Sequence, residues 1–121
     1  MTDTVKNVAE SVWRALGPGY SESVYHAAFE VALRQRGVPY ESERVIPVKY
    51  EGFVVGHVRA DIVIDNKIVV ELKSVARTTQ AFRTQLQKYM ELTGCDQGFL
   101  INFPVDSSIV EVEYFSPRQS E

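Results

Sequence analysis

Residues 53–74 constrain the fold most tightly, because they hold two apolar strands separated by a short turn. The first strand reads FVVGHVRADIVI (53–64), the turn reads DNK, and the second strand reads IVVELKS (68–74). Side chains alternate between the two faces of a strand, so joining the apolar faces sets Ile64 opposite Ile68. The pattern therefore predicts an antiparallel hairpin with a three-residue loop.

The same register brings two acidic side chains together. It pairs Ile62 with Val70, and the next pair along the hairpin is Asp61 with Glu71. Directly opposed residues lie about 5 Å apart, and a slip of one residue would move them to opposite faces. Two carboxylates at that distance repel, so either one is protonated or a cation lies between them. Lys73 is one candidate cation, and a divalent ion that prefers oxygen ligands, Mg²⁺ or Mn²⁺, is the other.

The remaining segments predict an α/β fold of the α+β type, with a mixed central sheet flanked by helices. The element order is ααβββαββ. Ser21 is expected to cap the second helix, and Thr78 or Thr79 the third. Pro47 predicts that its strand is an edge or bulged strand. The predicted bounds are helices 4–16, 22–36 and 79–93 and strands 43–50, 53–64, 68–74, 97–103 and 108–115.

Composition narrows the class of protein and its expected location. The 121 residues are enough for one domain, and the net charge of −3 argues against coating nucleic acid through overall charge. Local binding of a phosphodiester stays compatible with that charge. No apolar run approaches the roughly 20 residues that span a bilayer, so no membrane partner is expected. The lone Cys95 has no internal disulfide partner, which predicts an intracellular, cytoplasmic location.

The acidic pair belongs to a motif that resembles the PD-(D/E)XK nuclease superfamily. Asp61 is followed, after nine residues, by Glu71, Leu72 and Lys73, which is similar to the D…(D/E)XK motif of that superfamily. Ala60 stands where the superfamily name has proline. The resemblance implies a restriction-endonuclease-like core in a single domain that covers the whole chain.

Further segments extend the resemblance along the chain. The segment GYSESVY supplies Gly19, Glu22 and Tyr25 at the spacing of the GxxExxY protein family, a branch of the same superfamily. The segments GHVRADIVI and INF are also similar to that family. Gln85 and Tyr89 on the third predicted helix are similar to the QxxxY motif of exonuclease-like members.

The resemblance implies metal-dependent hydrolysis of phosphodiester bonds in nucleic acid, with Mg²⁺ or Mn²⁺ as the cofactor. Lys73 would be the catalytic lysine, and Gln85 would position that lysine or the scissile phosphate. DNA is favoured over RNA as the substrate. The implied metal ligands are Asp61, Glu71 and the backbone carbonyl of Leu72. Glu22, which would be a catalytic residue as well, would reach the same site from the second helix as an additional metal ligand or as a carboxylate that orients water.

Basic and aromatic residues around the third helix are candidates for a local nucleic-acid surface. For each basic residue, a solvated helix face is the competing interpretation. Small nucleases of this kind often use a second subunit to span a duplex, so a homodimer is a further expectation. The candidates are Arg77, Arg83, Lys88 and Tyr89.

Two other interpretations stay open. The chain could be a non-catalytic module that binds nucleic acid or protein and retains the nuclease fold. It could instead be an interaction protein in which Asp61, Lys73 and Glu71 form an ion-paired cluster on a solvated sheet face. Arg59 shares a strand face with Asp61, and it either pairs with an acidic residue or touches phosphate.

Overall fold

Three helices and five strands make up the fold, as seen in a computed structural model that describes residues 1–106 and 109–117. Their order, ααβββαββ, and the α+β class confirm the sequence prediction. No helix in the described residues is long and apolar enough to cross a membrane. The elements are α1 (Thr2–Leu16), α2 (Glu22–Gln35), β1 (Tyr40–Tyr50), β2 (Phe53–Ile64), β3 (Ile68–Lys73), α3 (Gln80–Thr93), β4 (Gln97–Asn102) and β5 (Glu111–Phe115).

The five strands form one mixed sheet in the order β1-β2-β3-β4-β5. Strands β3 and β4 are parallel, and every other neighbouring pair is antiparallel. Parallel neighbours need a crossover connection, and α3 supplies it between β3 and β4. The predicted mixed sheet is confirmed. The chain leaves the carboxyl end of β3 to enter the crossover that contains α3.

The hairpin register matches the hydrophobic pattern. Ile64 pairs with Ile68, and Ile62 pairs with Val70, as the alternation predicts. Asp65 and Asn66 have φ angles of 51° and 57° in the loop. Asp and Asn adopt this left-handed conformation more readily than most residues, so the turn DNK suits a three-residue connection.

Strand β1 lies at the edge of the sheet, as Pro47 predicts. Proline has no backbone N–H to donate, and an edge strand tolerates this loss better than a central strand. The pairing with β2 shifts between Val48 and Lys49, so the strand is irregular as well. The strand begins at Tyr40, three residues before the predicted start at 43. Its first residues are polar and lack an apolar alternation, but they pair with the end of β2.

Several other bounds differ from the prediction by one to three residues. Thr79, rather than Thr78, caps α3, because its side chain accepts a hydrogen bond from the backbone N–H of Phe82. Gly94 ends that helix in the left-handed conformation. The predicted strand 108–115 begins at a residue outside those that the structure describes, and its described part is β5.

Two apolar clusters cover the two faces of the sheet. Helices α1 and α2 pack on one face, and α3 packs on the other. Packing on each face of the sheet removes several branched or aromatic side chains from water. The burial of apolar surface is the main favourable contribution to the free energy of folding. The first cluster includes Val8, Val12, Tyr25, Phe29, Ile62, Ile64, Val70 and Leu72, and the second includes Val63, Val69, Leu86, Met90 and Leu100.

Candidate functional site

Asp61 and Glu71 lie together where β2 and β3 separate. The ladder between these strands ends at the pair Ile62 and Val70. Beyond it, the backbone N–H of Asp61 donates to Glu71 Oε2 at 2.8 Å, and the backbone N–H of Leu72 donates to Asp61 Oδ2 at 2.8 Å. Each acidic side chain therefore bonds to the backbone of the opposite strand, which fixes both carboxylates.

The backbone around Asp61 departs from a regular strand. Ala60 packs in the cluster against α3, whereas Ile62, two residues on, packs in the cluster against α1 and α2. A regular strand keeps residues two apart on one face. Across from Asp61, Glu43 has a φ of 53°, and the β1–β2 pairing has partners on either side of it but not at Glu43 itself. The irregularity places Asp61 where the two faces meet.

Burial makes the acidic pair bind protons more tightly than usual. Glu71 is only 3% exposed. Its burial, and next the charge of Asp61, raise the pKa of Glu71 to about 8. Burial also raises the pKa of Asp61, although the hydrogen bond from Leu72 acts in the opposite direction. The site thus holds a proton or another cation.

Lys73 does not neutralise this pair by direct contact. Its Nζ lies over the ring of Phe82, 4.6 Å from the centroid. Among the residues that the structure describes, no ion pair within 4.0 Å joins Lys73 to Asp61 or Glu71. The ion-paired cluster on a solvated sheet face is therefore not formed, while the Lys73 charge still lowers the pKa of both carboxyl groups.

The loop before α2 is fixed by Tyr25. The Tyr25 hydroxyl donates to the carbonyl of Gly17 at 2.6 Å and accepts from the N–H of Tyr20 at 3.3 Å. Gly19 has a φ of 114°, a conformation that residues with a Cβ rarely adopt. These contacts give a physical reason for the spacing of Gly19, Glu22 and Tyr25: they set where α2 starts, and so where Glu22 projects.

Glu22 lies within electrostatic range of the acidic pair. Burial raises the pKa of Glu22, Lys73 lowers it and Asp61 raises it. Within residues 1–106 and 109–117, however, no group of three or more His, Cys, Asp or Glu side chains could hold a metal ion. Glu22 therefore interacts electrostatically with the acidic pair without completing a three-carboxylate ligand set.

The donor atoms at Asp61 and Glu71 suit a hard divalent cation. Each carboxylate uses one oxygen for a backbone hydrogen bond, and in the described part of the chain Asp61 Oδ1 and Glu71 Oε1 accept none. No fully buried polar side-chain atom of the described residues lacks a partner, so each of these oxygens keeps some contact with solvent. Carboxylate oxygens that are fixed but still accessible are the ligands that Mg²⁺ and Mn²⁺ prefer.

Helix α3 brings Tyr89 beside the pair. Burial, and then the charges of Glu71 and Asp61, raise the pKa of Tyr89. Gln85 lies one turn before it on the same side of the helix and is exposed. Tyr89 thus lies near the carboxylates, while Gln85 is exposed to solvent one turn away from it.

The three basic candidates differ in their availability. Arg83 makes two hydrogen bonds of 2.8 Å to the carboxylate of Glu113, a geometry that occupies its guanidinium. Lys88 contacts Glu91 at 3.4 Å on an exposed helix face. Arg77 is exposed and forms no ion pair within the part of the chain that the structure describes.

Asn102 is a positioning residue that motif reasoning did not single out. It is fully buried, accepts from the N–H of Val75 at 3.0 Å, and donates to the Val75 carbonyl at 2.9 Å and to Glu111 at 2.7 Å. These bonds fix the segment that follows Lys73. The available signal was one amide in the otherwise apolar strand segment FLINF.

His26 is a second residue that spacing alone left without a role. It lies one turn after Glu22, bonded to Ser42 at 3.2 Å and to Glu30 at 3.1 Å. Its charge lowers the pKa of both Asp61 and Glu22, so it lies within electrostatic range of the site. The four-residue spacing from Glu22 was the only signal in the sequence.

Comparisons with known proteins bear on the family and the fold of this chain. A sequence model of the PD-(D/E)XK nuclease superfamily matches residues 1–114. Among solved structures, the crystal structure of SSO0001 has a similar fold, with a TM-score of 0.61 and 24% sequence identity. The similarity covers 78% of this chain and 50% of that one, so the chain spans half the length of that protein. No curated protein matches this sequence.

Proposed function

Because this chain belongs to the PD-(D/E)XK nuclease superfamily, we propose that it is a metal-dependent nuclease that hydrolyses phosphodiester bonds in DNA. One observation carries the proposal: Asp61 and Glu71 are fixed side by side, and in the described residues no basic side chain pairs with either. Structural ion pairs satisfy buried carboxylates with Lys or Arg, whereas catalytic metal sites leave them open.

The proposed metal ligands are the free oxygens of Asp61 and Glu71, together with the backbone carbonyl of Leu72. A bound Mg²⁺ or Mn²⁺ supplies Lewis-acid stabilisation of the phosphate and lowers the pKa of a coordinated water. Lys73 projects from the same strand and carries a fixed positive charge. It can orient the attacking water and stabilise the negative charge that develops on the phosphate oxygens.

Three further residues complete the proposed site. Glu22 orients the water from the start of α2, because its carboxylate already interacts electrostatically with Lys73. Gln85 at the exposed rim holds the scissile phosphate or Lys73 by hydrogen bonding. Tyr89 limits access of water to the buried side of the acidic pair and offers its hydroxyl to the nucleic acid.

The finer assignments are also proposals. The fixed loop at Gly19 and Tyr25 supports membership of the GxxExxY branch. Arg77 is the most available basic contact for the DNA backbone, with Arg83 and Lys88 contributing once their acidic partners are displaced. A pair of chains would let two sites act on the two strands of a duplex. The free and buried Cys95 fits a reducing, intracellular location.

A second candidate function is a non-catalytic nucleic-acid or protein-binding module. One observation favours it: the described residues contain no group of three metal-binding side chains. Two carboxylates and a carbonyl bind a divalent ion more weakly than a fuller ligand set. This alternative predicts nucleic-acid binding without cleavage.

We expect the purified protein to cleave a labelled DNA strand in Mg²⁺ or Mn²⁺ and to leave it intact in EDTA. Single-stranded, duplex and branched DNA and RNA should be assayed in parallel on a denaturing gel, with Asp61→Asn as the inactive control. Nucleic acid that is bound but left intact under every metal condition would favour the binding module over the nuclease.

A further inference from the structure

The β1–β2 ribbon extends past Asp61 and leaves one of its sides open. Strand β2 pairs with β3 only over Ile62–Ile64, but it pairs with β1 as far as Phe53 and Tyr50. On one side of this ribbon, Ile46 is buried in the cluster against α3. On the other side Val45 and Arg59 are largely exposed, so no helix or strand of the described residues covers them.

A cavity of approximately 400 Å³ lies on the open side and reaches Asp61. Its volume falls within the range of about 300–1,000 Å³ that is usual for ligand sites. Val45 on its wall is 56% exposed, which is a large apolar exposure for a strand residue. The lining residues are Glu43, Val45, His57, Val58, Arg59 and Asp61.

Arg59 is the cationic group of this cavity, and it is only loosely engaged. Its Nη1 lies 3.9 Å from Glu43 Oε1, and the two side chains are 62% and 58% exposed. Exposed pairs of this length contribute little to stability, so an arriving anion can displace Glu43. A guanidinium can donate two parallel hydrogen bonds to a phosphate.

We propose that this cavity holds the nucleotide next to the scissile phosphate of a DNA strand. Arg59 binds the phosphate of that nucleotide, and the sugar or base packs against Val45. Residues 59 and 61 are separated by about 7 Å along the strand, so the two phosphates are neighbours on one DNA chain. The assignment rests on the proposed nuclease function, because Asp61 marks where the scissile phosphate is held.

The acidic residues of the cavity set where the phosphate can bind. Glu43 and Asp61 repel an anion placed between them, whereas Arg59 is directed towards solvent at the rim. The phosphate therefore lies at the rim, and the uncharged part of the nucleotide faces Val45. Arg59 thus exchanges its loose pairing with Glu43 for contact with the phosphate.

We expect Arg59→Ala to weaken DNA binding about tenfold and to lower the slope of log Kd against log salt by about 0.7, the loss of one phosphate contact on a single strand. The probe is a fluorescein-labelled single-stranded DNA, measured by anisotropy with Ca²⁺ replacing Mg²⁺. Arg14→Ala removes the same charge from an exposed position on α1 and should leave the slope unchanged. Arg59→Lys should keep the slope.

Two outcomes would overturn the assignment, and they differ in what else they overturn. If the wild type binds DNA and Arg59→Ala keeps its salt slope, the cavity is not a phosphate site but the proposed nuclease function stands. If the wild type binds no DNA, the nucleotide site fails together with the proposed function. The thermal midpoint of each variant, compared with the wild type, shows whether the variants are folded.

Discussion

Replacing Lys73 with alanine is expected to slow DNA cleavage by about 10²–10³-fold while leaving divalent-metal affinity within a few-fold of wild type. The reason is that Lys73 makes no ion pair with Asp61 or Glu71 in the described residues, so its removal leaves the metal ligands in place. In the proposed nuclease, its charge acts on the reacting phosphate and water. Single-turnover cleavage rates in Mg²⁺, measured beside calorimetric metal titrations, separate the two effects.

Lys67→Ala is the matched control for this experiment. Lys67 lies in the hairpin turn, with its side chain 70% exposed and 3.9 Å from Asp65. Its removal changes the net charge equally, and cleavage should stay at the wild-type rate. A Lys73→Ala protein that cleaves at the wild-type rate would contradict the catalytic role of this lysine.

The metal-free protein is expected to lose stability as the pH rises from about 5 to about 8. Glu71 has an ordinary pKa of 4.5 and a folded-state pKa of about 8, so the folded protein binds the additional proton in this interval. The stabilisation is complete below pH 4.5, declines as the pH rises and is lost by about pH 8. Glu71→Gln removes this dependence and should raise the thermal midpoint at pH 8 by at least about 5 °C.

Thermal midpoints in EDTA across this pH range test the expectation. Glu10→Gln, at an exposed position on α1, makes the same substitution and should follow the wild-type curve. Added Mg²⁺ should restore the wild-type midpoint at pH 8, because the cation then neutralises the ionised pair. Parallel curves for wild type and Glu71→Gln would show that Glu71 does not titrate in this interval.

The sequence predicted the hairpin and its register because strand periodicity leaves one solution. Joining the apolar faces set Ile64 opposite Ile68 and Ile62 opposite Val70, and the structure has these pairs. The element order followed from helical and strand periods together with capping residues such as Thr79. These signals are local, and local patterns can be read without knowing what packs against them.

The detailed geometry of the acidic pair could not be predicted in this way. Alternation predicts opposed side chains, but it does not show that the ladder ends and that each carboxylate bonds to the backbone of the other strand. Nor does a glutamate at position 43 signal a φ of 53°, since glutamate is not a residue that favours this region. Both features arise from the way three strands meet at Asp61.

The partners of the basic residues could not be predicted from the sequence either. Arg83 was predicted as a nucleic-acid contact, yet its guanidinium is paired with Glu113, thirty residues later on β5. That contact depends on the position of β5 beside β4 and on the angle at which α3 crosses the sheet. Arg59 is the opposite case, because its guanidinium remains available. Only the structure shows that its pairing with Glu43 is long and exposed to solvent.

Calorimetric titration of the wild-type protein with Mn²⁺ near pH 7 is the most direct test of a metal site at Asp61 and Glu71. A raised pKa means that Glu71 must give up a proton when the ion binds, so the heat should depend on the ionisation enthalpy of the buffer. We expect one ion per chain, release of about one proton, and no binding by Asp61→Asn or Glu71→Gln. Absence of binding by the wild type, or unchanged binding by both variants, would contradict the account.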